Sequence, residues 1–158
     1  MFQVRIHGRG GQGVVSAAEI LSVAAFIEGK HSQAVPSFGS ERMGAPVVAF
    51  CRIDDKTIKL REPILEPDAL IVQDPTLFSA IDVFAGLSEN GYLLINSKRS
   101  IEELGIADAI HLPEDNARLV PATEIALKYI KRPLPNAVLL GALAAVTGVI
   151  KIDSVTEA

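Results

Sequence analysis

Apolar residues at strand spacing open the chain with Phe2, Val4 and Ile6, and after a glycine-rich stretch the period changes to a nearly continuous apolar run, Val14 to Phe26. The polar members of that run, Ser16, Glu19 and Ser22, share one narrow stripe at about 100° per residue, which predicts a helix needing cover on most of its sides. Burial in the core of one small domain and burial against a neighbouring subunit both answer that need. Gly29 ends the helix, and the Ser-, Gly- and Pro-rich stretch Lys30–Ala45 reads as a long loop of the kind that is functional or disordered. Val47–Ile53 and Thr57–Leu60 then read as the two strands of a β-hairpin around Asp54-Asp55-Lys56.

Beyond Pro67 the pattern alternates. A strand at Ala69–Val72 is followed by a helix around Pro75–Ala85, a turn at Glu89-Asn90-Gly91 and a strand at Tyr92–Ile95. Ala109–Leu112 and Arg118–Val120 are further strand candidates, with helices at Thr123–Ile130 and Asn136–Thr147 separated by Pro133 and Pro135. Ile152-Asp153-Ser154 begins another element. Strands alternating with helices predict parallel crossovers. The expected fold is therefore α/β: one domain over residues 1–158, a three-layer α/β/α sandwich with a Rossmann-like, mostly parallel sheet and an antiparallel hairpin.

Composition narrows the function classes. The chain has 158 residues, 49% of them hydrophobic, with 15 Lys+Arg against 19 Asp+Glu for a net charge of -4. No basic run carries the interleaved aromatics of a nucleic-acid surface. No apolar run reaches the roughly 20 residues of a membrane span, and the opening residues lack a signal peptide's pattern, so a soluble, cytoplasmic protein is expected. Cys51 is the only cysteine, which excludes an internal disulfide and a cluster held by four thiolates of this chain. It shares a strand face with Val47, Ala49 and Ile53 and reads as a small buried hydrophobe. His7, His31 and His111 have no ligand spacing, so no metal site is expected.

The candidate chemistry lies at Gly8-Arg9-Gly10-Gly11-Gln12-Gly13, a G-x-G-x-x-G stretch between strand and helix. Glycines there admit close backbone approach, and the helix N-terminus offers unpaired N–H groups to an anion. A nicotinamide or flavin site would also want a carboxylate about 20 residues on, to hold the ribose. That position falls in His31–Pro36, which has none. A freestanding NAD- or flavin-binding oxidoreductase therefore stands only as the alternative, beside a reading in which the glycines merely shape a turn. P-loop and nucleophile-elbow motifs are absent, and the pairs Asp54-Asp55, Glu102-Glu103 and Glu114-Asp115 read as solvated surface.

Taken in order, the glycine stretch, Pro36-Ser37-Phe38-Gly39-Ser40-Glu41-Arg42-Met43-Gly44-Ala45-Pro46, Pro67-Asp68, Ile95-Asn96-Ser97 and Asn136 ahead of Leu140-Gly141-Ala142 resemble the gamma subunits of 2-oxoacid:ferredoxin oxidoreductases, those of pyruvate synthase most of all. The resemblance covers nearly the whole chain. It implies a subunit with no catalytic residue and no metal of its own, in a complex that converts pyruvate, coenzyme A and oxidised ferredoxin to acetyl-CoA, carbon dioxide and reduced ferredoxin. Branched-chain 2-oxo acids or 2-oxoglutarate are the alternative substrates. It also implies alpha, beta and ferredoxin-like delta partners carrying thiamine diphosphate and [4Fe-4S] clusters, and leaves self-association of the isolated chain open. Gly8, Arg9, Gly10, Gly11, Gln12 and Gly13 are then expected at a coenzyme A phosphate or at an interface, with Phe38, Glu41 and Arg42 in the second loop. Asn96 and Asn136 are expected to cap helices or to touch the ligand. Met43 stands where many relatives carry a second basic residue, and the carboxyl end is shorter than the family's usual one.

Overall fold

The computed structural model of the chain describes residues 1–36 and 42–158. Its frame is a six-stranded sheet. Strand β1 (Phe2–Arg9) leads into helix α1 (Val14–Ile27), then β2 (His31–Pro36), β3 (Pro46–Asp54), β4 (Ala69–Val72) and β5 (Tyr92–Asn96). The one-turn helix α2 (Ile101–Leu104), β6 (Ala117–Val120), α3 (Ala122–Ile130), α4 (Asn136–Thr147) and α5 (Ile152–Glu157) complete the order. The strands lie in the order β2-β3-β1-β4-β5-β6. β3 is antiparallel to both of its neighbours while β1, β4, β5 and β6 pair in parallel, so β3 alone runs against the others. The α/β class and the mostly parallel sheet are as expected.

Period-2 alternation sorts the strand residues onto two faces. Val4, Ile6, Ala49, Cys51, Ile53, Ala69, Ile71 and Leu94 turn to the face covered by α1, α4 and α5, and form the main core with Leu21, Leu139, Leu140 and Leu143. Leu70, Val72, Leu93 and Ile95 turn the other way and pack on Leu77, Val83 and Ile106. Burying a side chain of this size contributes roughly 1.5–3 kcal/mol. Cys51 is the small buried hydrophobe expected of it, its thiol pushed up to about 12 by burial. Among the described residues no helix is long and apolar enough to cross a membrane.

Four local expectations are corrected. The antiparallel hairpin exists, but β3 pairs with β2, in register Gln33 to Arg52 and Val35 to Phe50, and Thr57–Leu60 forms no strand. Six residues of the supposed loop after Gly29, His31–Pro36, are thus the edge strand β2. The helix expected over Pro75–Ala85 is a 3₁₀ turn limited to Pro75–Ser79. Ala109–Leu112 is no strand, and its first residue closes another 3₁₀ turn, Ala107–Ala109.

Where Thr57–Leu60 and residues 80–85 were expected to be regular, the chain is irregular. The sheet face beneath β1 and β3 is covered by irregular chain, held by two buried arginines. Arg5 donates from Nη1 to the Ile64 carbonyl (3.1 Å) and from Nη2 to those of Val83 (2.9 Å) and Ala85 (2.6 Å). Arg52 donates from Nη2 to the Glu62 carbonyl (2.6 Å) and from Nε to the Gln3 side chain (3.0 Å). Backbone without ladder partners must find donors elsewhere when buried, and the guanidinium forks supply them here.

Arg5 Nε also donates to His7 Nε2 at 3.1 Å. Burial first, and the Arg5 charge second, lower the His7 pKa to about 4. The unfolded chain takes up this proton below the ordinary value of 6.5 and the folded chain does not, so His7 lowers stability as pH falls from about 6.5 to about 4. The expected loss saturates below pH 4 at no more than about 3 kcal/mol. Urea unfolding of wild type and His7→Gln should give a shallower pH dependence for the variant across that window. Parallel curves would contradict the assignment.

Candidate functional site

In an open α/β sheet ligands meet the protein where successive connections leave for opposite faces, outside the carboxyl ends of the strands. That point lies between β1, whose connection α1 packs on the main-core face, and β4, whose 3₁₀ turn packs on the other. Gly10 to Gly13 follow β1, Gln73 to Thr76 follow β4, and the start of α4 closes the third side. Because β3 runs in reverse, its first residue Pro46 lies beside Arg9, which brings the second loop to the same place.

The glycines are spoken for by backbone. Gly10 N–H donates to the Ala45 carbonyl (2.9 Å), the Gly10 carbonyl accepts from Gly44 N–H (3.1 Å), and Gly10 bridges to Met43. A Cβ at Gly10 would fall on the Arg42 carbonyl oxygen. Gly11 lies under the Met43 sulfur, and Gly8 is a β1 residue opposite Val47. Gly13 caps α1 at φ 74°, a left-handed conformation that favours glycine. No side chain caps α1, so the amides of its first turn keep the partial positive charge that suits an anion.

Side chains lock the loop to its surroundings. The Gln12 side-chain oxygen accepts from Arg9 N–H (2.8 Å), its amide donates to Asp74 (2.8 Å), and its carbonyl accepts from the Gln73 amide (2.8 Å). Gln12, expected at a coenzyme A phosphate or at an interface, ties the loop to β4 through these bonds. Arg9 spans the same parts: Nε donates to Thr76 Oγ1 (3.0 Å) and lies 3.4 Å from Asp74 Oδ2, while Nη1 donates to the Gly44 carbonyl (3.0 Å). Burial alone would raise the Asp74 carboxyl. Hydrogen bonds from Thr76 and Gln12, with the Arg9 charge, outweigh it and hold the group below the ordinary carboxylate range.

Asn96 and Asn136 act at helix starts. Asn96 Oδ1 accepts from Thr123 N–H in the first turn of α3 (3.2 Å), and its amide donates to Thr123 Oγ1 and the Gln73 carbonyl. Asn136 Oδ1 accepts from Ala137 N–H (2.9 Å) while its amide reaches the Gly13 carbonyl (3.3 Å), joining the start of α4 to that of α1. Arg42 is exposed beside the loop. Phe38 and Glu41 lie outside the described residues. The residues that sequence reasoning missed are Gln73, Asp74 and Thr76. Asp74-Pro75-Thr76 carries a visible signal, since an Asp ahead of Pro at a helix start is a capping pattern.

The geometry also bears on the dinucleotide alternative. In a Rossmann site the ribose carboxylate ends a parallel strand next to β1. Here that place is taken by the reversed β3, which presents its amino end, and β2 lies one strand further out. Among the described residues no group of three or more His, Cys, Asp or Glu gathers to hold a metal ion. The arrangement offers a helix start with no side-chain cap and, beside it, the exposed Arg42.

A family model described as pyruvate ferredoxin/flavodoxin oxidoreductase matches residues 3–158. The common subunit gamma of the pyruvate/ketoisovalerate oxidoreductases of Thermococcus litoralis is 49% identical over 158 residues, all of this chain and 84% of that protein. Pyruvate synthase subunit PorC of Methanothermobacter marburgensis is 47% identical over 159 positions, covering 99% of this chain and 84% of that protein. The crystal structure of pyruvate oxidoreductase subunit PORC from Thermotoga maritima superposes with a TM-score of 0.85 at 40% identity, covering 99% of this chain and 82% of that one.

Proposed function

The chain belongs to the pyruvate ferredoxin/flavodoxin oxidoreductase family, and from that premise we propose that it works as the gamma subunit of a multisubunit 2-oxoacid:ferredoxin oxidoreductase of the pyruvate synthase kind. Its partners are alpha, beta and ferredoxin-like delta subunits in the cytoplasm, and ferredoxin takes the electrons. Thiamine diphosphate and [4Fe-4S] clusters belong to those partners. The donor set supports this division, since the one cysteine is buried with its thiol pushed up to about 12, and cluster ligands are thiolates. A relative described as common to pyruvate and ketoisovalerate oxidoreductases supports leaving substrate choice to the other subunits. The exposed apolar residues of α1, Val23, Phe26 (75% exposed) and Ile27, are contacts for a neighbour.

One observation carries the role of the site. The Arg9 and Gln12 side chains are committed to holding the loop, β4 and the second loop together, while the first turn of α1 has no side-chain cap and Arg42 is exposed. These are what a phosphate of coenzyme A would meet, so the chain contributes binding while its partners carry the chemistry. In the assembled complex, Arg42→Ala should weaken coenzyme A about tenfold, one charge-assisted contact, with assembly intact. Arg9→Ala should weaken both. If Arg42→Ala leaves the affinity unchanged and Arg9→Ala costs only assembly, the loop shapes a turn and touches no cofactor.

A further inference from the structure

The end of α3 has a surface that folding does not explain. Residues Leu127 to Pro133 are exposed without a break, and the apolar ones are large: Leu127 is 45% exposed, Ile130 54% and Tyr129 72%. Leu127 and Ile130, three residues apart, share one side of the helix, and Tyr129 points away from it, so large apolar groups stand in water on more than one side of the last turn. Lys128, Lys131 and Arg132 are interspersed among them, and from Ile125 to Pro135 there is no carboxylate. The nearest one upstream, Glu124, is paired with Lys98 at 2.5 Å. A local charge of +3 thus stands on a chain of net charge -4.

Cations at a helix C-terminus have an ordinary use, because they offset the macrodipole. Lys131 serves it by donating from Nζ to the Lys128 carbonyl at 3.2 Å. That use does not call for Leu, Tyr and Ile in water beside them. Nor does it call for a lysine at φ 60°, where α3 ends and where glycine or asparagine is the usual residue. The Lys128 ammonium lies 5.3 Å from the Tyr129 ring centroid, which keeps cation and aromatic together at the tip.

We propose that the last turn of α3 is a plug, an apolar tip ringed by cations, that docks into a carboxylate-rimmed apolar socket on another subunit of the assembly. The proposal rests on the subunit role argued above. Tyrosine and arginine are usual anchors at the centre of a desolvated contact, and the excess positive charge around them selects an acidic rim and rejects a basic one.

The test uses the co-expressed complex, with the photo-crosslinker p-benzoylphenylalanine at position 129 and, separately, at position 26. At position 129 it should give an adduct that maps to a carboxylate-rich segment of another subunit, with a yield that falls as salt is raised. The triple variant Lys128→Gln, Lys131→Gln, Arg132→Gln, which removes the charges without placing carboxylates at the helix C-terminus, should lower the affinity of this chain for its partners by at least about tenfold at low salt. An adduct only with a second copy of this chain overturns the proposal, as does no adduct from position 129 while position 26 gives one; either leaves the subunit role standing. A chain that never enters the complex overturns the subunit role and the plug with it.

Discussion

Arg5→Leu is expected to lower the stability of the chain by about 3–5 kcal/mol, among the largest effects of any single change outside the apolar core. Leucine fits a buried strand position and fills much of the space. The loss is in hydrogen bonds, because the carbonyls of Ile64, Val83 and Ala85 all accept from this one guanidinium. A buried acceptor left without a donor costs roughly 1–3 kcal/mol, and entering water recovers part of that. Chemical denaturation measures it directly. Arg5→Lys should recover a fraction, since an ammonium is a compact charge that cannot span three acceptors as the fork does. A difference below about 1 kcal/mol for Arg5→Leu would mean that the irregular chain over this face is held by the packing of its Leu77 and Val83 on the sheet.

Gly10→Ala is expected to be nearly as damaging by a different route. Its Cβ would fall on the Arg42 carbonyl oxygen, and a backbone atom cannot rotate away as a side chain does. Either the Arg42–Ala45 segment lifts off, losing the two hydrogen bonds between Gly10 and that segment, or β1 shifts within the sheet. Overpacking and bond loss together come to roughly 2–4 kcal/mol. Because Arg9 also reaches Gly44, the second loop should come loose as a unit. Limited proteolysis should cut the variant near Arg42 well before wild type, and incorporation into the complex should fall with it. Wild-type proteolysis and normal assembly would show that the loops need not be in contact.

Much of this architecture is legible in the residues. The alternation of Val4 and Ile6 and the buried run Ala69–Val72 announce their strands. The apolar wraps of Val14–Ile27 and Asn136–Thr147 announce helices with more than one covered side. What resists reading is structure decided by distant partners. His31–Pro36 is polar and ends in proline, and it becomes a strand only because the edge of β3 offers it a ladder. Pro75–Ala85 has a helix's apolar content, yet its 3₁₀ turn ends at Ser79, and the carbonyls of Val83 and Ala85 accept from Arg5, a partner 78 and 80 residues away in the chain. At the site, the glycine stretch and Pro36–Pro46 both carry the family resemblance, and the structure joins them where Gly10 and Met43 are bridged. Gln12 was legible as part of the motif but not in its role, because Asp74, its partner, is 62 residues away.

The central claim is that this chain completes an oxidoreductase whose chemistry is carried by its partners. Its most direct test is reconstitution of the co-expressed complex with and without this chain, assayed by pyruvate- and coenzyme A-dependent reduction of ferredoxin, alongside the purified chain alone. The expected result is full activity only when the chain is present, and an isolated chain with no bound flavin, no affinity for NAD(H) and no turnover. A complex that works equally well without it, or an isolated chain that binds NAD(H) or carries flavin, would contradict the account.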